Sequence, residues 1–317
     1  MPPDHDHDHY IGLADPWRHF VVRALAGGAA PAAVVDRLVA QGVPRALAVH
    51  EVDVIAVSSE ALGTLVRRQR MVLDMLEHLA PSYVARRPLC GAQEFYDRYF
   101  TASRPVVFLD GCARMAARRW TFDDLRARFG QATVEIGARD PVTMRLRDAL
   151  DRMEQPDAPP ELYLVSRNQA LAGPLRALTD ELAPLPEFLD GDQARRTASL
   201  WLGPRGTLSP LHHDTTHVYF CQLHGTKQYE LVAPWQAEVL AAPIEGSDSG
   251  FDLDHPGDVR VHRLVLHPGE ALLVPVGWWH RVRALSPSIS VSLRAFVWPA
   301  GLPWYLPGSP GATAVGP

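Results

Sequence analysis

Cysteine is scarce in this chain, with 3 in 317 residues. Cys90, Cys112 and Cys221 are odd in number, widely spaced and lack a CxxC pair, so neither a disulfide framework nor a thiolate zinc finger is expected. That usage fits a reducing cytoplasm. No apolar run reaches the ~18 residues of a membrane span, and no signal-peptide pattern opens the chain. A cytoplasmic location with no membrane partner is the expectation. An excess of positive charge is missing too. Lys+Arg number 31 against 36 Asp+Glu, for a formal net charge of −5, so nothing electrostatic points to a nucleic-acid partner. What remains is an ordinary soluble composition, 47% apolar and 21% charged. The length allows one large domain plus a smaller one.

Residues 1–14 read as a disordered polar tail. His5, His7 and His9 carry metal-binding groups, but no packed element fixes them. Helical periodicity then runs from Pro16 to Tyr83. Asp15-Pro16 has the form of an N-cap with proline at the first helical position, and Gly27-Gly28 stops that helix. A second runs from Pro31 to Gly42 and a third begins near Pro44. The fourth and longest spans about Ser58 to Leu79, with Leu62, Leu65, Val66, Val72, Leu73, Leu76 and Leu79 as its expected buried set. Arg67, Arg68 and Arg70 read as a solvated face. Residues 15–87 are therefore expected to be a helical module for dimerisation, as a homodimer, or for substrate docking. Ala85 to Pro88 is the expected linker.

Residues 88–303 read as the second domain and 304–317 as a tail. Glu94 to Phe100 predicts a short helix, Arg104 to Leu109 a strand, and Thr133 to Ile136 another. Thr121 and Asp124 carry a capping arrangement for the helix between them, which Gly130 ends. Asp140 to Pro160 is polar, with a helical piece over 142–153. Glu161 to Val165 and Ala198 to Leu202 read as strands, with a loop over 184–194 between them. The acidic stretch from Glu245 to Asp254 lacks the carboxylate spacing of a calcium loop and reads as an exposed loop.

The chemistry concentrates in Ser209-Pro-Leu-His-His-Asp214. His212 and Asp214 are two apart, so on an extended strand both leave the same face. His280, beyond the apolar run Ala271 to Val276, is a candidate second imidazole if its strand neighbours the first. Two histidines and a carboxylate with open positions form the ligand set of non-haem Fe(II) oxygenases. Tyr219 to Leu223 reads as a strand, His224-Gly225-Thr226 as a hairpin turn, and Lys227 to Val232 as the returning strand. Lys227 then stands one hairpin from the metal, where the distal carboxylate of a metal-bound dicarboxylate needs a cation. His213 and His217 point to the other face.

With "SPLHHD", "GTKQYELVAP" and "HPGEALLVPVGWWHRVRAL" in this order, the chain resembles the JmjC/cupin-like 2-oxoglutarate oxygenases, the small hydroxylase branch in particular, from about Glu94 to Phe296. The resemblance implies an α+β protein whose catalytic domain is a double-stranded β-helix, or jelly roll, preceded by the helical module. It implies Fe(II), 2-oxoglutarate and O2 as cofactor and cosubstrates, with His212, Asp214 and His280 as metal ligands. Lys227, Ser209, Tyr163 and Ser292 are then the cosubstrate contacts, Tyr163 meeting the distal carboxylate through its hydroxyl. Val218 departs from the pattern, since many small JmjC hydroxylases carry an asparagine there. By the same resemblance the segment from Asp140 to Pro160 is the expected lid. The implied reaction is hydroxylation of a peptide or protein side chain. A small metabolite or a tRNA base is the alternative substrate, and a non-catalytic metal-binding cupin or a cupin isomerase or dioxygenase the alternative function.

Overall fold

Proline at the first turn of a helix leaves no extra N–H unsatisfied, and Pro31 opens the second helix in that way. The computed structural model describes residues 13–26, 28–137, 141–165, 169–236 and 251–297. The histidine-bearing tail, the acidic residues 245–250 and the expected tail 304–317 lie outside the described residues.

The chain divides into two compact units, the first ending at Leu79 and the second starting at Ala80. The first unit holds α1 (Asp15–Ala26), α2 (Pro31–Ala40) and α3 (Arg45–Leu79). Val21, Val34, Leu38, Ala48 and Val52 form its core. Full burial of a side chain such as Leu38 contributes about 1.5–3 kcal/mol. Arg18 closes the first unit's edge by an ion pair to Glu51 at 3.1 Å.

Two expectations change here. The third and fourth helices are one helix, because Ser58-Ser59 contains neither proline nor a capping break. The lone Gly63 costs only about 1 kcal/mol in a helix interior. The buried set expected beyond it is also corrected: Leu65, Val72, Leu76 and Leu79 are exposed. At 35 residues, α3 is roughly three times as long as α1 (12 residues) or α2 (10 residues), so the two short helices cover only its first third.

The second unit holds a seven-stranded sheet ordered β1-β2-β11-β8-β13-β6-β5 and a four-stranded sheet ordered β10-β9-β12-β7. The strands are β1 (Ala85–Arg87), β2 (Val106–Phe108), β5 (Leu164–Val165), β6 (Ser199–Gly203), β7 (Leu208–His213) and β8 (Val218–His224). They continue with β9 (Lys227–Val232), β10 (Val261–Leu266), β11 (Ala271–Val274), β12 (Trp279–Ala284) and β13 (Ser288–Leu293). The two sheets make the double-stranded β-helix; one core of buried side chains lies between them, and a larger one lies on the other face of the seven-stranded sheet, under the flanking helices. Phe95 stacked on Phe188 at 3.7 Å anchors the larger core. The expected linker is part of this unit: Ala85 to Arg87 pair in parallel with Val106 to Phe108.

A third, two-stranded ribbon pairs β3 (Thr133–Ile136) with β4 (Val142–Arg145). The helical piece expected over 142–153 therefore starts as a strand, and only Leu146–Met153 is helical. Val142 and Thr143 are β-branched and favour the extended form. Leu146, Ala149, Leu150 and Met153 are buried in the larger core. The expected lid is thus held down by its own apolar face. Thr121 caps the helix Phe122–Phe129 by accepting from the Asp124 N–H at 3.1 Å. The loop expected over 184–194 also ends in a helix, Gly191–Arg196, which Asp190 caps through the Gln193 N–H.

The hairpin expected at His224-Gly225-Thr226 is not a hairpin. β8 belongs to the larger sheet and β9 to the smaller, so the chain crosses the sandwich at Gly225. Gly225 has φ +65, and a Cβ there would lie 2.0 Å from the Pro287 carbonyl oxygen. Only glycine fits that corner. A second crossing, through Gly277 at φ +78, separates β11 in the larger sheet from β12 in the smaller. His280 therefore stands on its own strand, not on the continuation of the Ala271 run.

Candidate metal centre and cosubstrate pocket

β7 and β12 are antiparallel neighbours, and their register sets His280 opposite His212. Paired residues in an antiparallel ladder project from the same face, and the two imidazole rings lie 4.2 Å apart between centroids. Asp214 follows β7 by one residue and reaches the same place: its Oδ2 lies 3.7 Å from His280 Nε2. One ligand atom from each of His212, Asp214 and His280 lies within 4.8 Å of the others.

Each imidazole is held by a backbone carbonyl. His212 Nδ1–H donates to the Pro210 oxygen at 2.8 Å, and His280 Nδ1–H to the Trp278 oxygen at 3.0 Å. That contact fixes the tautomer and leaves the Nε2 lone pair free. His280 Nε2 is buried and has no hydrogen-bond partner. Burial, reinforced by the neighbouring His212, pushes the His280 pKa down to about 4, so the ring is neutral at physiological pH. A neutral, orphaned, oriented nitrogen beside a second imidazole and a carboxylate is a donor set that fits a divalent cation such as Fe(II).

The same face of the sheet continues to Lys227. On β9, Leu231 pairs with His280 and Lys227 with Ala284, four residues or about 13 Å along the strand. Ser209 lies three residues before His212, which strict alternation would send to the opposite face. The register between β12 and β7 shifts between His280 and Val282, so Ser209 pairs with Val282 and faces inward with His212. This bulge is the reason both can serve one site. Tyr163, Trp201, Ser209, Lys227 and Ser288 line one pocket. Lys227 is 8% exposed, and its Nζ donates to Ser290 Oγ at 2.6 Å across the sandwich. Burial pushes its pKa down to about 7.

Ser292 is fully buried and accepts from Trp201 Nε1 at 3.2 Å and from Arg294 Nη1 at 3.3 Å. It reaches the pocket through the Trp201 ring and not by lining it. Arg294 also contacts Ser199 Oγ at 3.4 Å, and its Nη2 lies 3.8 Å from Asp214 Oδ1. Asp214 therefore presents one oxygen to His280 and the other to Arg294. Ser288, Ser290, Ser292 and Arg294 alternate along one face of β13. Neither Ser290 nor Arg294 is among the contacts expected from the motifs above. The signal was present in "SISVSLR", where every second residue is polar on a strand whose serines are buried.

Of the neighbouring residues, His217 is buried, stacks on Phe100 at 3.9 Å and accepts from the Val276 N–H at 3.3 Å. It props the turn that leads to β12. His213 is exposed and meets Trp279 edge-on at 4.6 Å. Val218 is buried among aliphatic and aromatic side chains and offers no polar contact. Trp278 and Trp279 both pack into the wall.

A family model described as a cupin-like domain matches residues 92–294. Among curated proteins, the chain is 35% identical over 229 residues to lysine-specific demethylase 8 of Xenopus tropicalis, covering 63% of this chain and 50% of that protein. It is 28% identical over 228 residues to Jumonji C domain-containing protein 5 of Drosophila melanogaster, covering 63% and 56%. It is 28% identical over 258 residues to lysine-specific demethylase JMJ30 of Arabidopsis thaliana, covering 74% and 60%. The chain thus spans 50–60% of the length of these relatives.

Proposed function

The chain belongs to the cupin-like domain family, among its JmjC-type Fe(II)/2-oxoglutarate oxygenases, and from that premise we propose that it hydroxylates a peptide or protein side chain. The observation that carries this reading is the orphaned Nε2 of His280, aimed at Asp214 Oδ2 on the same strand face as Lys227. A metal site alone has no use for a buried cation four residues along the strand. A dicarboxylate cosubstrate does.

In this reading His212, Asp214 and His280 hold Fe(II), which with 2-oxoglutarate and O2 supplies the oxidation of an unactivated C–H bond. The chain's own residues bind, orient and exclude water. The Trp278 and Pro210 carbonyls keep both imidazoles in the binding tautomer. Arg294 faces the Asp214 oxygen directed away from His280. Lys227 as its ammonium, with the Ser209 and Tyr163 hydroxyls, takes the distal carboxylate, and Ser292 steadies the Trp201 wall. Succinate formation from 2-oxoglutarate, dependent on iron and ascorbate, tests the reaction class. No succinate with reconstituted protein, even in uncoupled turnover, would leave the metal-binding cupin as the better reading.

The names of the reported relatives bear on substrate. Two carry "lysine-specific demethylase" in their names, which supports a protein substrate and makes lysine demethylation the second reading. Hydroxylation is placed first because Cys90, Cys112 and Cys221 are free thiols, three where a four-thiolate zinc site needs four.

The helical unit is assigned to self-association or substrate docking, a role supported by its exposed Leu65, Val72, Leu76 and Leu79. Light scattering on the full chain separates the two. A dimer mass lost on Leu65→Glu with Val72→Glu supports self-association, and a monomer mass in the wild type supports docking. No helix among the described residues is long and apolar enough to cross a membrane.

A further inference from the structure

We propose that Ser288, at the first position of β13, is a binding residue for the distal carboxylate of the cosubstrate. The proposal rests on the functional reading above and adds a contact to it.

Ser288 is 1% exposed, and its Oγ is buried without a hydrogen-bond partner. It lines the same pocket as Lys227, Ser209 and Tyr163. A buried hydroxyl with no partner in the protein is uncommon in native interiors. The other serines of this face do not share the problem: Ser290 accepts from Lys227, and Ser292 accepts from Trp201 and Arg294. Ser288 is therefore the one member of the row whose hydrogen-bonding capacity is left to whatever enters the pocket.

The chemistry of the pocket specifies an anion. Lys227 as its ammonium has three N–H donors, and Ser290 uses one of them. Two remain for a ligand. The Ser288 and Ser209 hydroxyls add neutral donors, and Tyr163 lines the same pocket. A carboxylate offers about four lone-pair sites, enough to accept from all of these groups. Ser288 is pinned by its strand: its backbone register is set opposite Gly203 on β6, where a Cβ would meet Tyr163 Cβ at 2.8 Å and Thr207 Oγ1 at 2.7 Å. Gly203 thus leaves the space into which Tyr163 and Thr207 fold beside Ser288.

The test is calorimetric titration of the full chain loaded with Mn(II) in place of iron, with 2-oxoglutarate and with 2-oxobutyrate, which keeps the 2-oxoacid but lacks the distal carboxylate. Ser288→Ala is expected to weaken 2-oxoglutarate binding about ten-fold or more, the size of a lost hydrogen bond to a charged group. It is expected to leave 2-oxobutyrate binding and Mn(II) affinity unchanged. Unchanged 2-oxoglutarate affinity, or an equal loss for both ligands, would overturn the role of Ser288. Lys227→Ala serves as the control for the reading beneath it. If Lys227→Ala binds 2-oxoglutarate as the wild type does, the pocket is not the distal-carboxylate site. If only Lys227→Ala discriminates between the ligands, the pocket stands and Ser288 is excluded from it.

Discussion

Lys227 and Ser290 meet across the sandwich, Nζ to Oγ at 2.6 Å, and neither side chain is appreciably exposed to water. The lysine brings a potential charge into the interior and finds one neutral hydroxyl. Burial accordingly holds its pKa near 7, well below the ordinary lysine value. The unfolded chain then binds more protons than the folded one between about pH 7 and the usual lysine range near 10.4. Stability of the protein without ligands should rise with pH across that window.

Ligand binding should show the opposite slope. An anion beside Lys227 favours the ammonium and raises its pKa, so binding above about pH 7 takes up a proton. We expect 2-oxoglutarate affinity to be greatest below that pH and to fall by up to about ten-fold per unit above it. Calorimetry in two buffers of different ionisation enthalpy measures the uptake directly. A flat affinity from pH 7 to 9 with no proton uptake would show that Lys227 does not face the bound carboxylate.

Replacing Lys227 by Ala should raise the KM for 2-oxoglutarate far more than it alters iron affinity. The lost charge-assisted contact in a desolvated pocket is worth roughly 2–5 kcal/mol. Arg294 stands close to Asp214, at 3.8 Å, on the metal side of the site. If KM is unchanged in Lys227→Ala but rises in Arg294→Gln, the distal carboxylate is held by the arginine.

His212→Ala, Asp214→Ala and His280→Ala should each remove coupled turnover. The loss should exceed the roughly 10–100-fold that losing an outer partner of a metal ligand costs. Binding of Mn(II), followed by calorimetry, should fall with it while the circular dichroism spectrum is retained. His280 is the most demanding case because its ring is fully buried. Coupled activity persisting in any one of the three variants removes that residue from the ligand set.

The three candidate ligands were legible because their arrangement is local or pattern-bound. His212 and Asp214 share a face by spacing alone, and the apolar run before Trp278 marks a chain emerging from the core. What could not be read was which strands pair. β8 and β9 are joined by three residues that look like a hairpin, yet Gly225 carries the chain from one sheet to the other. The distinction depends on Pro287, 62 positions away in sequence, whose carbonyl fills the place of the missing Cβ. The bulge that turns Ser209 inward is equally invisible, since it exists only in the pairing with β12. In the helical unit, periodicity led to a buried set from Leu62 to Leu79, yet Leu65, Val72, Leu76 and Leu79 are exposed, because an apolar face carries no information about whether a neighbour is long enough to cover it.

Gly225 gives a direct test of that crossing. Adding a methyl group requires a positive φ for an L-residue, which costs about 1–3 kcal/mol, and drives Cβ into the Pro287 carbonyl. Gly225→Ala should lower Tm by several degrees and weaken 2-oxoglutarate binding, because Lys227 begins β9 only two residues later. A control at Gly257, where φ is +57 but no atom lies within 4 Å of a built Cβ, should show only the smaller backbone cost. Equal effects at the two positions would mean that the Pro287 contact is unimportant.

The product decides between the two readings of the reaction. Hydroxylation and N-methyl demethylation share abstraction of hydrogen from carbon, so His212, Asp214 and His280 serve either. They part at the next step: a hydroxyl on an ordinary side-chain carbon is stable, whereas one on an N-methyl carbon collapses and releases formaldehyde. The relatives' names point to the second outcome for those proteins, while this chain spans only 50–60% of their length, so the outcome here has to be measured on its own substrate. We expect mass spectrometry of peptide substrates to show a stable gain of one oxygen, matched one to one by succinate. Formaldehyde in step with succinate, from a methyl-lysine peptide, would assign demethylation instead. A small molecule or tRNA gaining the oxygen would keep the hydroxylase chemistry and replace only the substrate.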